Sequence, residues 1–84
     1  MYLHIGNNQL IEKSDIIGIF DMDIGTDIKA SQMFLAAAQK RKILFSVSKD
    51  IPKSYIVCEK NGKQKVWLSP LATSTLKKRW KSIV

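Results

Sequence analysis

The chain has 84 residues, 14 Lys/Arg against 7 Asp/Glu for a formal charge of +7, and a single cysteine. That length supports one domain spanning residues 1–84 with a small core, and it leaves no room for a doubly wound nucleotide-binding sheet. One cysteine excludes an internal disulfide framework, and the longest apolar run, Met33 to Ala38, is far short of a membrane span.

The charge is unevenly spread. Residues 1–39 hold two basic side chains against five acidic ones (net −3), and the remainder holds twelve against two (net +10). The partners of a basic face are nucleic acid or anionic membrane, and the alternative is a merely solvated lysine surface. MYLHIGNN has neither a charged nor an apolar leader region, so a soluble, cytoplasmic protein without membrane association is expected.

In chain order, Tyr2 to Ile5 alternates, Gly6-Asn7-Asn8 reads as a turn and Gln9 to Glu12 resumes as a strand, which predicts a short hairpin. His4, with no cysteine or second histidine near it, is expected to be a packed, hydrogen-bonded residue rather than a ligand. Asp15 to Phe20 is a β-branched run expected to be a strand buried on both faces, with Gly18 marking a bulge.

Asp21-Met22-Asp23-Ile24-Gly25-Thr26-Asp27 superficially resembles the nucleophile loop of haloacid-dehalogenase-type enzymes, but the chain cannot supply their other loops. As a calcium loop it fails because Gln32 stands where an EF-hand needs glutamate. Thr26 or Asp27 as a helix cap explains the same residues, so no metal or cofactor is expected. From Ile28 to about Arg41 the period is helical, with Ile28, Leu35 and Ala38 on one side, Phe34 at its edge and Met33 off it. Lys40-Arg41-Lys42 suits the negative end of that helix.

Ile43 to Ser48 reads as a strand, and the following connection presents Lys49 and Lys53. Ser54 to Ser69 is the most constrained stretch. Asn61-Gly62 tolerates the positive φ at both central positions of a type I′ turn, which sets Lys60 opposite Lys63 and runs the pairing back to Tyr55 opposite Leu68. Alternation then puts Tyr55, Val57, Val66 and Leu68 on one face and Ile56, Cys58 and Trp67 on the other. Both faces are apolar in a chain expected to be too short to cover them, so Ile56 and Trp67 are candidates for an oligomer interface. Cys58 faces Lys65, which could activate a thiolate, though a buried strand thiol is the simpler expectation. Ser69-Pro70 is expected to start a second helix with Leu76, Trp80 and Ile83 as its stripe.

The fold class expected from these elements is α+β, a small and mostly antiparallel sheet with two helices. Lys49 and Lys53, the hairpin lysines Lys60, Lys63 and Lys65, and Lys77, Lys78, Arg79 and Lys81 form the candidate nucleic-acid-binding set. No Ser/His/Asp, Cys/His or phosphate-loop constellation is present, so an enzyme is not expected. The alternative to DNA binding is a non-catalytic protein–protein adaptor or scaffold subunit.

Met1 to Gly6, Asp15 to Asp21, Pro52-Lys53-Ser54, Leu68-Ser69-Pro70-Leu71 and Ser74-Thr75-Leu76-Lys77-Lys78-Arg79 together resemble the RemA/RemB family of bacterial extracellular-matrix regulatory proteins, over nearly the whole chain. The resemblance implies a cytoplasmic protein with a LytTR-like fold, ring-like homo-oligomers, double-stranded DNA as partner, and transcriptional regulation of biofilm matrix genes. RemA-like members carry an arginine-rich run in the loop entering the strand that starts here near Ser54. This chain has Ile51-Pro52-Lys53-Ser54 there, so only Lys53, with Lys49 nearby, stands in that place. Lysines offer point charges where arginines offer forks, which implies an electrostatic contact that reads sequence weakly.

Overall fold

The computed structural model describes residues 1–22 and 28–82, and of Ile28 the backbone only. The Asn-Gly turn forms as its chemistry requires: Asn61 and Gly62 have φ of 54° and 78°. It joins strands β5 (Ser54–Lys60) and β6 (Lys63–Ser69) in the expected register, Lys60 opposite Lys63 through Tyr55 opposite Leu68, extended by Ser54 opposite Ser69.

This hairpin is the centre of a four-stranded sheet in the order β3-β5-β6-β4, with β3 (Ile16–Asp21) antiparallel to β5 and β4 (Leu44–Ser46) parallel to β6. The register slips between Ile16 and Gly18, the bulge that the glycine implied. An ideal Cβ on Gly18 would come within 2.7 Å of the Phe20 ring, so the glycine lets that ring fold back over its own strand.

Each face of the hairpin has its own cover. Helix α1 (Ile28–Lys40) lays Leu35 and Ala38 over Tyr55, Val57, Val66 and Leu68, and Ser31 Oγ lies 3.2 Å from Tyr55 Oη. Met33 stays exposed, off the apolar stripe. On the opposite face, strands β1 (Tyr2–His4) and β2 (Leu10–Glu12) form a separate two-stranded sheet. They meet through a turn in which Gly6, Asn7 and Asn8 all have positive φ. Leu3, Ile5 and Ile11 pack with Ile16, Ile19, Val47, Ile56, Cys58 and Leu76 into the main core, where helix α2 (Thr73–Lys81) also contributes partly buried Trp80.

The α+β architecture with a mostly antiparallel sheet is as expected, with six strands among the described residues. Four local expectations are corrected. Strand β3 is not buried on both faces: it is a sheet edge, and Ile17 and Phe20 are 56% and 44% exposed. His4 is exposed rather than packed, and it serves through its carbonyl, which accepts from Arg79 Nη1 at 3.3 Å.

Ser69-Pro70 does not start the second helix, whose N-cap is Ala72. Ser69 is occupied elsewhere: its hydroxyl donates to the Ile5 carbonyl at 2.6 Å and accepts from the Leu71 N–H at 3.1 Å, fastening the first hairpin to the central one. Finally, Ile56 is 0% exposed. The first hairpin and α2 cover the face that was expected to lie bare, so Ile56 cannot reach a partner; Trp67, half-buried against Phe45 with ring centroids 5.1 Å apart, still has an outward side. Asp23, Thr26, Asp27 and Ile83 lie outside the described residues.

Candidate nucleic-acid interface

Alternation along β5 and β6 aims Lys60, Lys63 and Lys65 to the same face as Ile56, Cys58 and Trp67, the face that the first hairpin crosses. There the tip lysines rim an open cleft of about 510 Å³, with Cys58 and Trp67 in its floor and Tyr2, Leu10 and Glu12 in its opposite wall. Lys65 Nζ sits 5.7 Å from the centre of the Phe45 ring, within cation–π range. Local pattern reading missed Phe45, because its place beside Trp67 comes from the parallel pairing of β4 with β6, two strands separated by the whole of β5.

Helix α2 carries the second group. Lys77, Lys78, Arg79 and Lys81 are exposed while Leu76 is fully buried, so the charges sit on the outer side of the helix that Leu76 anchors. Arg79 is tied down through the His4 carbonyl, and Lys13, not among the expected site residues, joins this end by donating to the Ser82 carbonyl at 2.9 Å. The third group, Lys49 and Lys53, lies at the other end of the sheet. Lys53 donates its N–H to the Ser69 carbonyl at 2.8 Å at the hairpin base. Seven residues of β5 separate it from the tip, about 23 Å at about 3.3 Å per residue. The nine basic residues thus form three patches, and the first hairpin stands between the tip lysines and α2. Lys40, Arg41 and Lys42, read from sequence only as partners of the helix dipole, make a further exposed basic turn.

Among the described residues, the ion pair present is that of the Met1 amino group with Glu12 Oε1 at 2.8 Å, and no lysine or arginine side chain is paired with a carboxylate. A cation without a fixed anion has its charge available to a partner.

Cys58 faces Lys65 as expected, and it is buried. Burial first, and the Asp15 charge second, push its thiol up from 9.0 to about 11, with Lys65 acting the other way. The folded chain therefore keeps the proton longer than the unfolded one, and stability falls as pH rises from about 9 toward 11. At pH 8 the native thiol is expected to resist iodoacetamide, with labelling appearing only as denaturant unfolds the chain; rapid labelling of the folded protein would contradict this. Among the described residues no three His, Cys, Asp or Glu side chains converge, and no helix is long and apolar enough to cross a membrane.

The family model for RemA-like proteins, described as extracellular matrix regulatory protein A-like, matches residues 2–80. The chain belongs to this family. It is also 37% identical over 79 residues to extracellular matrix regulatory protein B of Bacillus subtilis (strain 168), a match covering 94% of this chain and 89% of that protein. The span matched by the RemA-like model takes in the central sheet, both of its covers up to Trp80, and every candidate basic residue except Lys81, which lies one residue beyond it.

Proposed function

We propose that this RemA-like protein is a non-enzymatic, cytoplasmic regulator of extracellular-matrix genes that binds double-stranded DNA as a homo-oligomer. The observation that carries the reading is the set of exposed lysines and arginines without carboxylate partners among the described residues, on a chain whose family is that of matrix regulators. Such side chains displace condensed counterions from phosphates, which gives affinity for any duplex and little base reading. Three patches set apart on one small domain suit an assembly in which several subunits each grip the backbone at one place.

Lys53 tests the reading at the position where the resemblance to the RemA/RemB family implies an arginine-rich run. Fluorescence anisotropy with a labelled duplex at two salt concentrations is expected to show binding that weakens steeply with salt. Lys53→Ala should weaken all duplexes about equally and reduce the salt slope by about one unit. An unchanged slope removes Lys53 from the contact. Absence of binding even at low salt replaces the DNA reading with that of a protein–protein adaptor.

A further inference from the structure

The open cleft of about 510 Å³ at the hairpin tip has three different boundaries. Along β6, Lys63, Lys65 and Trp67 point to one face at intervals of two residues, and Lys60 stands across from Lys63. At about 3.3 Å per residue this makes a row of about 13 Å, with an indole at one end and three ammonium groups along the rest. The opposite wall is the edge of β2. Four consecutive residues, Gln9 to Glu12, line the cleft, whereas a strand face would contribute alternate ones. Ile5 N–H bonds the Gln9 carbonyl and Lys13 N–H the Met1 carbonyl, so alternation turns the backbone groups of Leu10 and Glu12 away from β1. The third boundary is Asp15. It precedes Ile16, which pairs with Cys58 from β3, while Lys65 pairs with Cys58 from β6, so carboxylate and ammonium flank the floor without meeting in an ion pair.

We propose that this cleft binds a nucleoside polyphosphate, its base against Trp67 and its phosphates along Lys65, Lys63 and Lys60. Each part of that ligand answers one feature of the cleft. A flat base stacks on an indole whatever its identity, because every base has a π-face. Phosphate oxygens accept charge-assisted hydrogen bonds from ammonium groups, and these three have no carboxylate partner among the described residues. Asp15, across the floor, repels phosphate and so confines it to the lysine row. The β2 edge supplies the few polar groups that fix a ligand's orientation in a largely apolar site, and the volume is that of a small-molecule site.

The inference stands apart from duplex binding. In a duplex the bases are stacked and paired inside the helix, so they do not reach Trp67, and a duplex would engage the same lysines through its phosphates alone. A free nucleotide uses the ring and the cations together. The order of the row, ring first and cations outward to the turn, matches the order of parts in the ligand, base first and phosphates beyond it.

The test titrates the full chain with ATP, GTP, CTP and UTP and, as a ligand without a base, inorganic tripolyphosphate. Of the two tryptophans, Trp80 is changed to phenylalanine so that Trp67 alone reports. The nucleotides should quench its fluorescence, and tripolyphosphate should bind about fivefold to a hundredfold more weakly, the equivalent of one lost base stack, without quenching. Lys63→Ala/Lys65→Ala, at exposed positions, should weaken nucleotide binding about tenfold or more. Calorimetry on the chain that keeps Trp80 makes the same comparison of affinities if Trp80→Phe does not fold. Equal affinity for tripolyphosphate would reduce the cleft to a lysine surface and overturn the site, as would nucleotide binding that ignores the two lysine substitutions. Tighter binding of a short single-stranded oligonucleotide than of any nucleotide would overturn it in favour of a strand-binding groove. Nucleotide quenching in a chain that binds no duplex would uphold the site while removing the DNA reading.

Discussion

Replacing Ile56 by alanine is expected to cost about 2–5 kcal/mol, the range for removing a branched side chain from a packed core. Ile56 is 0% exposed at the point where the first hairpin, α2 and the central sheet converge, and Leu3, Ile5, Ile11, Ile19 and Leu76 share its core. None of these neighbours can collapse into the space without releasing another, because the two-stranded sheet is fixed from above by Ser69 Oγ on the Ile5 carbonyl. A chain of 84 residues stands near the low end of domain stabilities. Thermal or urea unfolding should therefore show the variant unfolding far below the unchanged chain. Met33→Ala, at an exposed position off the apolar stripe of α1, should change stability by less than about 0.5 kcal/mol, as surface substitutions do. Equal losses at the two positions would contradict the placement of the core.

Neutralising the exposed face of α2 is the counterpart for function. Lys77, Lys78 and Lys81 changed together to alanine should leave the fold in place, since alanine favours the helix and Leu76 and Trp80 still anchor it. Arg79 is spared because its bond to the His4 carbonyl joins α2 to β1. If all three lysines meet phosphates, the slope of log affinity against log salt should become shallower by about 2.7, at about 0.9 for each contact. The same measurement on Lys60, Lys63 and Lys65 changed together tells whether the hairpin tip belongs to the same contact. An unaltered slope in the α2 variant would take the helix out of the DNA-binding surface.

The basic residues of the candidate interface could be named from sequence because charge is carried by residue type, but their grouping could not. Lys53 and Lys60 are seven residues apart and stand at opposite ends of a strand, while Lys65 and Phe45, twenty residues apart, touch. The paired face of Cys58 and Lys65 was legible, whereas the rise of the thiol to about 11 comes mainly from burial beneath a hairpin whose docking no local pattern announces.

What this chain's sequence determined by itself was local. Asn61-Gly62 admits one tight turn, and that turn imposes the whole β5–β6 register; the helical period places Leu35 and Ala38 inward and Met33 outward; Gly18 marks the bulge. These depend on a few contiguous residues and on the geometry of the backbone. Only the tertiary structure decided which strands became edges, that β4 runs parallel beside β6, that the first hairpin covers Ile56, and that Ser69 clasps that hairpin rather than starting a helix. An apolar strand face looks the same whether it will be covered by its own chain or by another molecule. The choice lies with shape and hydrogen bonding between segments distant in sequence, which no single segment records.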